Sequence, residues 1–304
     1  MWWLRFLVLR ERPHHFKFPQ RWPQPPPWAR LAGVTQAPDP PFPPLRPPSW
    51  ARAGASDSPL AAAFAAGAAL AALDAVVRRN APHAGVWRRR LALKAALASL
   101  AGRREDEGAL RDGFAFTPPG VDPGPAGRVY LAWRALGASR LADFAVPAGL
   151  YEAHAASSAP APLAAAAAAA SGAGAALADC VLAARLGWRA PLPLLAAEIG
   201  RIKPGAPGWD AACCAAYARA ATAACDLDAQ LARAAARLRA VAPKLRAKGA
   251  QAVIAALLEE DALTAAARLP GVSERGLRRL FDRLVALDAL RELSGRPTFR
   301  LYGL

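Results

Sequence analysis

Lysine is what this chain conspicuously lacks. Of its 39 basic residues five are lysine (Lys17, Lys94, Lys203, Lys244, Lys248), and 39 − 5 leaves 34 arginines. Isoleucine and valine are scarce, there is one methionine, and no long strand-like run occurs. Those shortages exclude a large β-sheet and set the expected fold class as all-α. Acidic residues are also few, 23 against 39 basic, for a net charge of +16. The four cysteines, Cys180, Cys213, Cys214 and Cys225, make no C-x-x-C pair. They read as small buried thiols in helical sequence and fit a reducing cytoplasm better than a secreted disulfide framework. The histidines His14, His15, His83 and His154 are scattered, and neither H-E-x-x-H, G-x-S-x-G nor a P-loop is present. Gly172 and Gly174 have no preceding strand and no third spaced glycine, so a dinucleotide loop is excluded as well. No catalytic residue, cofactor or metal is expected.

What the chain does have is alanine, arginine, proline and glycine in excess. Hydrophobic residues make up 54%, but much of that is alanine, which favours helix and buries little area per residue. Arginine in place of lysine is also what a GC-rich coding bias produces. The positive charge therefore points to nucleic acid only where arginines gather on one face.

Composition divides the chain in three. Residues 1–53 hold thirteen of the 29 prolines and five of the nine tryptophans, an extended, basic, disordered arm. Its opening MWWLRFLVLR is broken by Arg5 and is too short for a signal-peptide core. Residues 54–243 form an Ala-rich helical body, capped at its start by Asp57-Ser58-Pro59. The uncharged run Ala155 to Ala178 is long enough to span a membrane, but it is mostly alanine, glycine and serine. It reads as a buried helix or helix pair, and no membrane association is expected.

Residues 244–304 read as a winged helix-turn-helix, the most legible functional module here. Helix one places Val253, Ile254, Leu257 and Leu258 inward, and helix two covers about Leu263 to Leu269. Ser273 caps helix three, whose Leu277, Leu280, Phe281 and Leu284 recur at i, i+3, i+4 and i+7. At about 100° per residue, Arg275, Arg279 and Asp282 fall opposite that stripe, flanked by Arg278 and Arg283. Two strand-like runs turned at Ser294-Gly295 then form the wing, with Arg296 near the tip and Arg300 on a strand. This order lets helix three enter the major groove while the wing meets the phosphate backbone. The expected DNA contacts are Arg275, Arg278, Arg279, Arg283, Arg296 and Arg300. Arginines on a solvated face are common, and winged helices also dock on proteins, so an adaptor with a protein partner or a homodimer is the alternative. An enzyme would need Asp74, Glu105, Asp106 and Asp112 to converge, whereas the acidic run Glu105-Asp106-Glu107 reads as a helix start.

With these residues in view, the chain resembles a bacterial family, domain of unknown function 1403. The segments that carry the resemblance are AAFAAGAALAALDAVVRRN (Ala62 to Asn80), GVWRRRLALKAA (Gly85 to Ala96), AGRREDEGALRD (Ala101 to Asp112) and the ending from Arg279 to Leu304. The resemblance implies a bacterial, intracellular, mostly helical protein and supplies no catalytic residues. The sequence thus leads to a non-enzymatic DNA-binding protein of the transcription-regulator kind.

Overall fold

The computed structural model describes residues 46–52, 58–103, 105–118, 120–140, 148–245, 247 and 249–304. Of the extended arm read from residues 1–53, residues 1–45 and 53 lie outside the described residues, as do residues 54–57 at the start of the body. Residues 46–52 belong to the body: a short helix α1 (Ser49–Arg52) buries Ala51, stacks Trp50 on Phe64 at 5.0 Å, and brings Arg52 to Asp226 at 3.6 Å.

The chain is mostly helical with a small three-stranded sheet near its end. Helix α2 (Pro59–Arg79) starts at the Ser58 cap and stops at Asn80, whose left-handed backbone (φ 44°) closes the last turn. It is long and apolar enough to cross a membrane by length and composition. Here it packs along the longest helix, α10 (Trp209–Val241), through Ala62, Ala66, Ala69, Leu70, Leu73 and Val76. Between them lie α3 (Ala84–Ser99), α4 (Glu107–Ala115), α5 (Gly124–Ala138), α6 (Ala148–Ala155), α7 (Ala161–Ala168), α8 (Gly174–Arg185) and the short α9 (Leu195–Glu198). The long alanine run is a helix pair: the chain reverses between α7 and α8 through Gly172 (φ 93°) and Gly174 (φ 74°), a conformation that side chains with a Cβ resist.

Each buried alanine removes little apolar surface, so the body depends on close helix approach and on a few large residues at the joints. Four tryptophans are such bolts, and each indole N–H finds an acceptor. Trp87 donates to the Ala224 carbonyl (2.9 Å) and Trp209 to the Ala166 carbonyl (2.9 Å). Trp188 donates to Asp74 (2.7 Å) and Trp133 to the Ser99 hydroxyl (3.0 Å). At the α2–α3 corner, buried Asp228 of α10 takes both the Arg79 guanidinium and His83 Nε2, the latter at 2.8 Å.

Asp179 on α8 is fully enclosed. Its carboxylate accepts from the backbone N–H of Leu194 (2.9 Å) and Leu195 (3.1 Å) and from the Tyr217 hydroxyl (3.3 Å). Burial pushes its pKa from 3.8 up to about 8 against the pull of those three donors. The native chain therefore holds a proton that the unfolded chain releases over that range. The contribution of Asp179 is greatest below the unfolded pKa and is lost as pH rises towards the folded one. We expect the melting temperature of the wild type, relative to Asp179→Asn, to fall between about pH 5 and pH 8. A difference that stays constant across that window would contradict a proton held by Asp179.

The terminal segment follows a short 3-10 turn (Ala242–Lys244) and holds α11 (Ala250–Glu259), β1 (Leu263–Thr264), α12 (Glu274–Ala286), β2 (Arg291–Glu292) and β3 (Leu301–Gly303). The strand order is β1-β3-β2, all antiparallel, with Leu263 opposite Tyr302 and Arg291 opposite Gly303. The second helix expected from Leu263 to Leu269 does not form. Leu263 and Thr264 pair with β3 instead, and Pro270 with left-handed Gly271 (φ 72°) leaves a helix no room to continue. Sheet pairing here overrides the helix preference of Ala265 to Ala267. The core of this segment is continuous with that of the body, running from Leu238 and Val241 through Val253, Leu257, Leu277 and Phe281 to Tyr302.

Candidate functional site

Among the described helices, α12 has the strongest amphipathic pattern. Ser273 caps it by accepting from the Gly276 N–H (3.1 Å), which fixes where the helix begins and so which residues face out. Leu277, Leu280, Phe281 and Leu284 are buried, and Phe281 packs against Tyr302 with ring centroids 4.6 Å apart. Arg275, Arg278, Arg279, Asp282 and Arg283 are exposed. Arg278 pairs with Glu274 at 2.9 Å, both side chains well solvated, which is worth little. Among the described residues, no ion pair or hydrogen bond engages the side chains of Arg275, Arg279 or Arg283. The body does not cover this face.

The hairpin after α12 is held differently from its sequence reading. Glu292 accepts from the Ser294 N–H (2.9 Å), the Gly295 N–H (2.9 Å) and the Ser294 hydroxyl, and the serine hydrogen bonds chiefly lower its pKa. Arg300 is exposed and donates to the Arg296 carbonyl at 3.2 Å. Arg296, expected as a backbone contact at the wing tip, is engaged from within. Both its terminal nitrogens meet the Asp112 carboxylate at 2.6 Å, and its guanidinium lies 5.6 Å from the Phe116 ring. Phe299 packs edge-on against Phe116 at 5.5 Å, so the hairpin tip rests on the end of α4.

Behind the module lies an ionic joint that the sequence reading missed. Two complementary blocks meet there: Arg88-Arg89-Arg90 on α3 and Glu259-Glu260-Asp261 at the end of α11. Gly85 allows the approach, because a Cβ there would come within 2.8 Å of the Glu259 Cα. Arg90 Nε donates to Asp261 at 2.8 Å, and another nitrogen of the same guanidinium reaches the Leu304 carbonyl. Arg111 of α4 meets the other Asp261 oxygen at 2.6 Å. Arg134 of α5 grips Glu260 through one nitrogen at 2.8 and 3.2 Å while stacking 4.2 Å over Phe114. Arg89 reaches Glu259 at 3.2 Å. Burial opposes the charges of Arg111 and Arg134, yet Asp261 and Glu260 more than offset it, and both pKa values are raised. The joint leaves a cavity of about 10 Å³ lined by Arg111, Phe114, Tyr130, Arg134 and Asp261, room for about one water. The signal in the sequence was an acidic triplet set between apolar runs in a chain otherwise rich in arginine.

The four carboxylates an enzyme would need to gather do separate jobs. Asp74 holds Arg78 and Trp188, Asp106 caps α4 by accepting from the Ala109 N–H, Asp112 holds Arg296, and Glu105 is exposed. Among the described residues, no three histidine, cysteine or acidic side chains are placed to share a metal. The four thiols are buried and free, and burial raises their pKa values to about 11 or 12. They are held as thiols, without the thiolate character that nucleophilic chemistry needs.

Comparison with known proteins adds the family. Its model, described as protein of unknown function (DUF1403), matches residues 39–148 and 149–304. The chain belongs to the DUF1403 family. No curated protein and no solved structure matches it. Because the match runs to Leu304, the ionic joint and the cationic helix both lie inside the DUF1403 unit.

Proposed function

We propose that this DUF1403 protein binds duplex DNA, without catalysis, through the outer face of α12. The order α11, β1, α12, β2, β3 and the strand order β1-β3-β2 support a winged-helix reading in which the second helix is reduced to turns. At 13 residues α12 is about 20 Å long, enough to lie in a major groove about 12 Å wide. Arg275, Arg278, Arg279 and Arg283 are the groove contacts, and Arg300 meets the flanking backbone. Arg296, committed to Asp112, leaves that set.

One observation carries the reading: charge is sorted at the joint. Glu260 and Asp261, at the end of α11, are turned inward onto Arg90, Arg111 and Arg134, while Glu259 stays exposed beside Arg89 and the arginines of α12 are turned outward. The outer face of α12 thus presents Arg275, Arg278, Arg279 and Arg283 against Glu274 and Asp282, a net positive surface of the kind that attracts a polyanion. The cytoplasm is the proposed compartment, consistent with four buried free thiols.

A binding-site selection from random duplex DNA with the full chain, run at about 50 and about 200 mM salt, tests this. Enrichment of a sequence at both concentrations is expected. A protein that retains no duplex even at the lower salt, while holding a stoichiometric protein partner or a second copy, would be an adaptor instead.

A further inference from the structure

Helix α2 buries one face against α10 and leaves the opposite face uncovered. Leu60, Phe64, Gly67 and Ala71 are all exposed. They recur at i, i+4, i+7 and i+11, a stripe about 16 Å long on the side away from Ala62, Ala66, Ala69 and Leu73. No charged residue occurs from Pro59 to Leu73. Leu60 is 80% exposed and Phe64 69%, and half-exposed Trp50 of α1 stacks on Phe64 and widens the patch. The large side chains occupy the N-terminal half of the stripe and the small ones the other half. The fold itself does not call for glycine at 67: among the described residues a Cβ there would meet no atom within 4 Å. Glycine inside a helix is less favourable than alanine, so what it provides here is open space on the outer face.

We propose that this face pairs with the same face of a second copy, α2 against α2, antiparallel about a two-fold axis. The stripe is complementary to itself. An axis through the point midway between Phe64 and Gly67 sets Phe64 of each copy over Gly67 of the other. The same axis sets Leu60 of each copy over Ala71 of the other, because both pairs share that midpoint. Each large side chain then enters the space beside a small one, as close-packed helices in an isologous contact require. With Trp50 and the flanking alanines, the patch offers on the order of 500 Å² per copy, about 1,000 Å² in a pair. That is the size of a weak, reversible dimer. A lipid surface gains little from Gly67 and Ala71, which insert almost no side chain, whereas a second copy needs them small. The pairing does not depend on α12 binding DNA.

The test is sedimentation velocity of the full chain from about 1 to about 100 μM, with melting followed by circular dichroism at the lowest concentration. The wild type should pass from monomer to dimer across that range, and Leu60→Glu/Phe64→Glu should stay monomeric throughout. Gly67→Leu decides the geometry. It adds apolar surface and suits a helix, so the monomer should melt no lower than the wild type. It also fills the space that Phe64 enters, and should raise the dissociation constant at least about tenfold. A wild type that stays monomeric at the highest concentration overturns the pairing. So does a dimer that survives Leu60→Glu/Phe64→Glu, which would place association elsewhere. A dimer that Gly67→Leu leaves unchanged or strengthens overturns it too, since unspecific apolar contact would behave that way. Flotation of the wild type with phosphatidylcholine vesicles, lost in Leu60→Glu/Phe64→Glu, would assign the face to lipid instead.

Discussion

Asp261→Ala should cost about 3–5 kcal/mol of folding stability, the largest single-residue effect we expect in this chain. The side chain of Asp261 is 3% exposed, and its two oxygens hold Arg90 and Arg111, themselves 18% and 13% exposed. Alanine leaves two nearly buried guanidinium groups facing each other without the carboxylate they share. Arg90 keeps the Leu304 carbonyl and Arg111 keeps Glu107, which places the loss at the lower end of the range. Asp261→Asn preserves the shape and one acceptor oxygen, so its cost should be smaller. Because the three residues share one network, Asp261→Ala with Arg90→Ala should cost less than the two single losses added together. Urea unfolding monitored by circular dichroism measures all four variants, the Arg90→Ala single included. A loss below about 1 kcal/mol for Asp261→Ala would show that the joint behaves as a solvated surface pair.

Arg275→Ala with Arg279→Ala should abolish retention of duplex DNA while leaving thermal stability almost unchanged. Both side chains are exposed on the face of α12 opposite Leu277, Leu280 and Leu284, and neither supports the fold. Substitution at such positions shifts stability within about 0.5 kcal/mol, and alanine is a good helix former. In binding, each arginine is worth about 1–3 kcal/mol if it meets a guanine edge, and about one unit of salt slope if it meets a phosphate. Retardation of duplex DNA in a gel and a melting curve on the same preparation read both quantities. A double variant that shifts DNA as well as the wild type, at unchanged stability, would remove α12 from the interface. The two predictions separate cleanly: the Asp261 variants damage the fold behind the module, and the arginine variants damage only what it presents.

Much of this was legible in the chain because it is local. Ser58, Asp106 and Ser273 were readable as helix starts, since a cap needs only a short polar side chain and a free N–H two or three residues on. The stripe of Leu277, Leu280, Phe281 and Leu284 gave the buried face of α12 and, by subtraction, its exposed arginines. The reading failed where residues far apart decide. Ala265 to Ala267 favour a helix, but β3, almost forty residues later, claims Leu263 and Thr264. Arg296 looks like a free wing-tip cation until Asp112, 184 residues away, takes it.

The sequence by itself determined the helical class, the caps, the amphipathic last helix and the excess of arginine. Those follow from backbone propensity and the 3.6-residue period, which act over one or two turns. Only the tertiary structure decided which charges are spent and which are free. Ion pairing depends on distances of a few ångströms between residues more than a hundred positions apart, and burial decides what a pair is worth. So Arg89, Arg90, Arg111, Arg134 and Arg296 are folding residues, while Arg275, Arg279 and Arg283 face solvent.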